Sequence, residues 1–293
     1  MGPLSLMFRA GLARVWREHL MMPPGEELSR QATLVDAHVH LHAVFAVEDF
    51  LDAAAANFAA ASQALGLPTG APGLLLLAES AGNDAFARLC DGSLDSGVWS
   101  LERLAEPESL IARRAGRPPV ILVAGRQIVT VEGLEVLALG TRVHFADGDP
   151  VCAVLAAARA TGALPVLPWG FGKWTGRRAE LVWRLFEGGS DLYAGDNGGR
   201  PAWSSRPRLL GMAETWGRLV LPGSDPLPFA GEVRKPGSYG FVAEVTCDPD
   251  RPFATLRTWL ESQTRSPRIY GRRERLPVFL RHQIAMQLRK RVG

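Results

Sequence analysis

Two kinds of hydrophobic pattern alternate along the chain from residue 33 onward. Short apolar runs such as "TLVDAHV" and "GLLLLAE" are typical of buried strands. The longer segments between them place apolar side chains near helical spacing, and the first of these, "VEDFLDAAAANFAAASQALG", is rich in strong helix formers. Strands that alternate with helices in this way predict a parallel sheet with helical crossovers.

The number of such units favours closure of the sheet into a barrel. We predict an α/β fold, a TIM-like barrel of about seven or eight strand-helix units, regular or distorted, over residues 33–265. The stretch "PVILVAGRQIVTVEGLEVLALGT" is expected to form two or three strands with a turn near Glu132 and Gly133. Residues 1–32 are predicted to be an N-terminal helical extension, and residues 266–293 a basic C-terminal helix.

Composition narrows the class of protein without indicating an activity. Of the 293 residues, 47% are hydrophobic and 22% are charged, as is typical of a globular protein with a large core. No apolar run approaches the roughly 18 residues of a membrane span, and the N-terminus lacks the features of a signal peptide, so we expect a cytoplasmic protein. The three cysteines lie far apart and indicate neither a disulfide framework nor a thiolate metal site. Abundant arginine, alanine and glycine, with only three lysines, suggest a GC-rich bacterial genome.

The C-terminal tail, "SPRIYGRRERLPVFLRHQIAMQLRKRVG", is strongly basic. It has eight arginines and lysines and a single acidic residue, Glu274. Basic helices of this kind bind anionic membranes, nucleic acid or acidic protein surfaces, but many simply pack on their own domain with their arginines in water. The last interpretation is the simpler one. Binding of the tail to a protein partner with an acidic surface remains an alternative. The sequence has no strong feature of a nucleic-acid-binding protein.

One predicted strand holds half of the six histidines, in "DAHVHLH". Its alternate positions are Asp36, His38, His40 and His42. Because side chains alternate along a strand, all four are expected to project to the same side, at the strand end where barrel active sites lie. Imidazoles spaced by one residue can bind one zinc, iron or manganese ion. The alternative is that the histidines are solvated or hydrogen-bonded in the core.

These residues resemble a known motif. "VDAHVHLH" resembles the first motif of metal-dependent hydrolase barrels, both the amidohydrolase superfamily and the polymerase and histidinol phosphatase (PHP) family. Three later stretches are similar to PHP regions over roughly residues 33–245: "LVAGRQIVTVEGLEVLALGT", "DGDPVCAVLAAARATGALPVLPWGFGKW" and "RLVLPGSDPLPF". The resemblance implies a hydrolase with about one or two divalent ions, zinc, manganese or iron.

Carried over onto this sequence, the resemblance makes His38, His40 and Asp225 metal ligands, with Glu79 as a further candidate ligand. The chain departs from the family where Gln127 replaces a bridging glutamate and Trp169 replaces a histidine. The residues after Asp225, "PLP", also lack the family's histidine. An amide is a poorer bridging ligand than a carboxylate, and an indole cannot coordinate a divalent cation. A mononuclear site with an open position is therefore expected in place of a larger cluster.

Such a site implies that metal-activated water attacks a phosphoester or amide of a small anionic substrate. Asp225 or Glu79 would carry the proton, and a nearby cation would stabilise the developing charge. His144, which follows a predicted strand, is a candidate base or late ligand, although a lone loop histidine is often only solvated.

Two glycine-rich loops offer substrate contacts. "GFGKWTGRR" places basic residues beside a turn at a helix N-terminus, which favours an anion. "GDNGGRPAW" resembles an active-site loop, and both loops are equally compatible with plain turns. The candidate substrate-binding residues are His42, Lys173, Arg177, Asp196, Asn197 and Arg200.

Two hypotheses follow from the sequence. In the first, the protein is a metal-dependent hydrolase with a reduced ligand set. In the second, it is a catalytically degenerate barrel that serves as a binding or scaffold protein. The amide of Gln127 and the absence of the later histidines favour the second hypothesis. The first is favoured by the joint retention of Asp36, His38, His40, Glu79 and Asp225, because a decayed site has no physical need to keep its ligands.

Overall fold

The computed structural model of the protein describes residues 31–189 and 191–292. The predicted N-terminal extension, apart from its last two residues, lies outside this part of the chain. The strands are β1 (Thr33–Val39), β2 (Gly73–Leu77), β3 (Ser100–Arg103), β4 (Ser109–Arg113), β5 (Val120–Val123), β6 (Gly125–Val129), β7 (Glu135–Leu139), β8 (Leu164–Pro168), β9 (Tyr193–Asn197), β10 (Val220–Gly223), β11 (Tyr239–Ala243) and β12 (Arg268–Gly271). The helices are α1 (Val47–Leu65), α2 (Ala85–Asp91), α3 (Val151–Ala160), α4 (Arg177–Glu187), α5 (Arg208–Thr215), α6 (Pro252–Glu261), α7 (Leu276–Val292) and one 3-10 helix (Ala230–Arg234).

The strands form two mixed sheets. The larger sheet has seven strands in the order β12-β11-β1-β2-β5-β4-β3, and the smaller sheet has five in the order β10-β9-β8-β7-β6. Parallel pairs such as β1 with β2 and β8 with β9 stand beside antiparallel pairs such as β1 with β11 and β6 with β7. The fold is therefore a sheet-rich α/β fold.

The prediction of a TIM-like barrel is wrong. Five strands, β3 to β7, follow one another without an intervening α-helix, and β3, β4 and β5 form an antiparallel meander. Consecutive parallel strands need a helical crossover, whereas antiparallel neighbours need only a short turn. The stretch before residue 140 does hold the three expected strands, and its turn is closed by a hydrogen bond from Gly133 N to Thr130 O of 2.8 Å. Strands without crossovers cannot build a regular (β/α) barrel.

Main-chain hydrogen bonds join the two sheets near β1 and β2. Glu79, just after β2, donates to Gly125 O of β6 at 3.0 Å and accepts from Gln127 N at 2.9 Å. On the other side, Asp225 N, just after β10, donates to His38 O of β1 at 2.8 Å. These bonds hold the ends of β1, β2, β6 and β10 close together.

An apolar core lies between the two sheets, and further cores lie under the helices. The inner core includes Val35 and Ala37 of β1 and Leu137 and Leu139 of β7. A second cluster packs α1 on the larger sheet, and a third packs α3, α4 and α5 on the smaller sheet. The carboxyl ends of β1, β9 and β10 thus lie on a rigid base, and polar side chains that follow them can be held in fixed positions.

The C-terminal segment belongs to this fold. Strand β12 extends the larger sheet by pairing with β11, and α7 follows it in the segment where a basic helix was predicted. None of the helices in the described part of the chain is long and apolar enough to cross a membrane.

Candidate metal centre

The side chains of His38, His40 and Asp225 meet where β1 and β10 end. Nε2 of His38 lies 3.0 Å from Nε2 of His40, and Oδ1 of Asp225 lies 3.6 Å and 3.4 Å from these two nitrogens. Ligand atoms around a tetrahedral zinc ion, each about 2.0–2.2 Å from the metal, are roughly 3.3–3.6 Å apart. The two histidines are only 5% and 6% exposed. The three residues therefore have the donor types, spacing and burial of a metal site.

A register shift in β1 determines the direction in which the side chains of His38 and His40 point. The pairing of β1 with β2 shifts between Asp36 and Val39. Before the shift, Val35 and Ala37 pack in the inner core, whereas Val39, after it, packs in the cluster under α1. Because neighbouring side chains alternate in direction, the inversion leaves His38 and His40 on the inner side and separates them from Asp36. The expectation that Asp36 shares their side is wrong for this reason.

Asp36 has a structural role near the histidines. Its carboxylate accepts hydrogen bonds from the backbone N–H groups of Ser224 and Gly237, both at 2.8 Å. Burial raises the pKa of Asp36 to about 7, although the hydrogen bonds from Ser224, Gly237 and His38 oppose this rise. Asp36 thus ties β1 to the chain segments that follow β10 and precede β11.

The protonation states of His40 and Asp225 suit a metal ion. Burial, followed by the neighbouring His38, lowers the pKa of His40 to about 3, so this imidazole is neutral. Burial opposes ionisation of Asp225, but the combined interactions with the two histidines, Lys173 and the amide of Asn197 leave its pKa below the ordinary value. A neutral imidazole and an ionised carboxylate are the forms that coordinate metals.

Asn197 orients the carboxylate of Asp225. Its Nδ2 donates a hydrogen bond to Oδ2 of Asp225, and its Oδ1 accepts one from Gly199 N at 2.6 Å. The second bond fixes which end of the amide points at Asp225. Asp225 has a φ of 47°, in the left-handed region that aspartate tolerates better than most residues. Oδ1 of Asp225 is thereby left facing the two histidines.

We expect the variant Asn197→Ala to weaken metal binding by roughly 10–100-fold, the usual effect of losing a residue that orients a metal ligand. Competition titration with zinc and a chromophoric chelator measures this affinity. The matched control is Gln263→Ala, which removes an amide that donates to Trp259 O and Ser262 Oγ at the end of α6. Equal affinities for the two variants would show that Asn197 does not orient a metal ligand.

The structure does not bring Glu79 to this cluster. Among the described residues, the ligand atoms of this cluster that lie within 4.8 Å of one another belong to His38, His40 and Asp225. Oε1 of Glu79 accepts a hydrogen bond from Phe86 N at 2.7 Å, and its Oε2 lies 3.1 Å from Nη1 of Arg126. Its carboxylate therefore accepts a hydrogen bond at the start of α2 and forms a buried ion pair with Arg126.

His144 is also outside the cluster. Its side chain is 68% exposed, and its Nε2 lies 3.1 Å from Nη2 of Arg126 and 3.5 Å from Oδ1 of Asp84. It extends the charge network of Glu79 and Arg126 toward the surface.

The candidates for substrate binding fall into three groups: three residues near the metal cluster, one exposed residue and one buried pair. His42 stacks on His40 with ring centroids 5.2 Å apart, and Lys173 forms an ion pair with Glu135 and contributes to the lowered pKa of Asp225. These two residues lie near the metal cluster, as does Asn197. Arg177 is exposed at the first residue of α4.

Asp196 and Arg200 form a buried pair that leaves no room for a ligand. Arg200 donates to both carboxylate oxygens of Asp196, at 2.9 Å and 2.8 Å, and the hydroxyl of Tyr239 donates to Asp196 at 2.9 Å. Asp196 is 2% exposed and Arg200 4%. The pair stabilises the loop that follows β9, and thereby the position of Asn197.

The two tryptophans that follow β8, Trp169 and Trp174, belong to the core. Trp174 is buried in the cluster under α3, α4 and α5, and Trp169 packs against it. Gln127 pairs with Leu137 across β6 and β7, so its side chain is on the face of the smaller sheet that carries the inner core.

A second group of residues that can hold a metal ion escaped sequence analysis. It consists of Glu232, Glu274 and His282. These residues come from the 3-10 helix, the segment after β12, and α7. No motif joins them, because the fold alone brings them together.

Comparison with known proteins adds one finding on the fold. No protein-family model matches the chain, and no curated protein matches it. Among solved structures, the chain is similar to PsfC from Pseudomonas syringae PB-5123, with a TM-score of 0.55 and 14% sequence identity over 88% of this chain and 98% of PsfC. At this identity the likeness concerns the fold, and the protein shares the overall architecture of PsfC.

Proposed function

We propose that the protein is a metal-dependent hydrolase of the PHP or amidohydrolase type. In this proposal His38, His40 and Asp225 hold one divalent ion, zinc, manganese or iron. The observation that carries the proposal is the convergence of two imidazole nitrogens and one carboxylate oxygen in a buried site. Three protein ligands, which leave a position open, are typical of catalytic rather than structural zinc sites.

A divalent ion held by His38, His40 and Asp225 would make a bound water more acidic and would polarise the bond that is attacked. The chain's own residues set the geometry for this chemistry. His40 presents a neutral nitrogen beside that of His38, and Asn197 keeps Oδ1 of Asp225 turned toward both. Asp225 is the carboxylate offered as proton acceptor, because Glu79 is engaged by Arg126.

A recess beside His42 supports a small anionic substrate. Its volume is about 480 Å³, within the range of small-molecule sites, and it is lined by residues that include His42, Asn83, Arg88 and Pro228. Because His42 stacks on His40, a molecule in this recess lies one ring away from the metal ligands. Arg88 provides positive charge for a phosphate or carboxylate group. The substrate class of the proposal is therefore a small anionic phosphoester or amide.

The proposal is tested by measuring turnover after loading the protein with zinc, manganese or iron. The probes are p-nitrophenyl phosphate, bis-p-nitrophenyl phosphate and an amino-acid p-nitroanilide with a free carboxylate. We expect turnover of one probe class that depends on the added ion and is lost in Asp225→Ala. Cys152→Ala, which changes an exposed side chain on α3, is the matched control and should retain turnover.

The alternative is a metal-binding or scaffold protein without catalysis. One observation favours it: the fourth candidate ligand, Glu79, is committed to Arg126 and α2. Wild-type protein that binds an ion in the His38 site but turns over none of the probes would support this alternative and contradict the hydrolase.

A further inference from the structure

A second group of ionisable side chains lies against α7. Nδ1 of His282 is 3.1 Å from Oε2 of Glu274, and its Nε2 is 3.3 Å from Oε1 of Glu232. The ring of Phe229 stacks on the imidazole with centroids 5.8 Å apart. Glu232 and His282 are each only 4% exposed. These groups form a desolvated polar cluster between α7 and the body of the protein.

Lys235 supplies the positive charge of this cluster. Its Nζ is 2.8 Å from Oε2 of Glu232 and 2.6 Å from Oε1 of Glu274. A divalent ion bound to the same carboxylates would be repelled by the ammonium group of Lys235. It would also have to replace this group at the carboxylate oxygens. Buried carboxylates need a charged or hydrogen-bonding partner, and Lys235 with His282 provides both. The cluster is therefore complete without a metal.

The cluster is attached to both loops that shape the metal centre. Oε2 of Glu232 accepts a hydrogen bond from Leu227 N at 3.2 Å, two residues after Asp225. Glu274 N donates to Gly198 O at 3.0 Å, immediately after Asn197. Glu274 O in turn accepts a bond from Ala202 N at 2.8 Å. The loop that carries Asp225 and the loop that carries Asn197 are thus both hydrogen-bonded to residues of the cluster.

We propose that Glu232, Lys235, Glu274 and His282 form a clamp, the α7 clamp, that positions Asp225 and Asn197 by holding their loops against α7. The inference rests on the proposed metal centre. Its residues are positioning residues, since they touch neither the ion nor its ligands. Through the clamp, α7 supports the metal centre from outside it, although the sequence of α7 suggests only a basic surface helix.

The test uses the full chain with His282→Ala. Removing the imidazole leaves Glu232 and Glu274 with Lys235 alone and frees α7 from the two carboxylates. We expect the zinc affinity of the His38 site to fall about tenfold or more, while the chain still binds about one ion. Leu280→Ala, on the exposed face of the same helix, is the matched control and should keep wild-type affinity.

Two further measurements keep the test decisive. His282→Gln keeps a donor for Glu274, so it should lose less affinity than His282→Ala, and it replaces that variant if the alanine chain does not fold. Chymotrypsin cleavage of the metal-free protein after Trp203 and Phe229, one in each loop, should be faster in His282→Ala than in wild type, because both loops are released.

The outcomes separate the clamp from the proposed function. Unchanged zinc affinity in a folded His282 variant overturns the clamp, as does a second bound ion that is lost with His282. If wild type binds none of zinc, manganese and iron, the proposed function fails, and the cleavage rates of the metal-free chains decide on the clamp: faster loop cleavage supports it and equal cleavage overturns it.

Discussion

Replacing His40 by alanine should abolish high-affinity metal binding. The site has three candidate protein ligands, and the variant leaves only His38 and Asp225 to hold the ion. The loss should exceed the roughly 10–100-fold that follows removal of a residue that merely orients a ligand. Zinc content after gel filtration, measured by atomic emission, and competition titration both report this change.

His144→Ala is the matched control for His40→Ala. It also removes one imidazole, but from an exposed position beside Arg126 rather than from the cluster. We expect it to bind zinc as wild type does. Equal zinc affinity in His40→Ala and His144→Ala would show that the ion, if one is bound, lies elsewhere.

Gly223→Ala should damage both stability and metal binding. A Cβ on Gly223 would lie 2.8 Å from Cα of His38 and closer still to its backbone nitrogen. Backbone atoms cannot turn aside as a side chain can, so β10 and β1 must separate and carry Asp225 away from His38. Overpacking of this kind costs about 1–3 kcal/mol of unfolding free energy. Urea denaturation and zinc titration of the same sample measure the two effects.

Gly211→Ala is the control for this substitution. Gly211 lies in α5, and a Cβ there would meet no atom within 4 Å. Alanine in place of a helical glycine stabilises a protein by roughly 0.5–1 kcal/mol, so the two variants should change stability in opposite directions. Wild-type stability and zinc affinity in Gly223→Ala would contradict the close approach of β10 to β1.

The sequence predicted individual strands better than their arrangement. Hydrophobic periodicity located β1, β2 and the three strands β5, β6 and β7, because each is buried and its side chains follow the local period. It indicated the turn near Glu132 and Gly133 that joins β6 and β7, but it did not indicate that β3 to β5 form an antiparallel meander. Strand direction depends on the connections and on pairing with distant segments, which a local pattern does not contain.

The candidate site was predictable in part for similar reasons. The spacing of His38 and His40 is a local signal, and the resemblance to PHP motifs pointed to Asp225. The register shift that separates Asp36 from the histidines is a matter of pairing with β2, and no residue type marks it. The engagement of Glu79 by Arg126 likewise follows from the meeting of β2 and β6.

The role of Asn197 lay outside the reach of sequence analysis. It was a candidate for substrate contact in a glycine-rich loop, whereas in the structure its amide holds Asp225. The α7 clamp was even less predictable, since Glu232 and His282 lie in segments without any motif. Interactions between residues far apart in sequence decide these roles, and only the fold brings such residues together.

The most direct test of the central claim is anomalous diffraction from crystals of the zinc-loaded protein at the zinc edge. We predict one strong peak about 2.0–2.2 Å from Nε2 of His38, Nε2 of His40 and a carboxylate oxygen of Asp225. A peak among Glu232, Glu274 and His282, or no peak at His38 and His40 in crystals grown with excess zinc, would contradict the account.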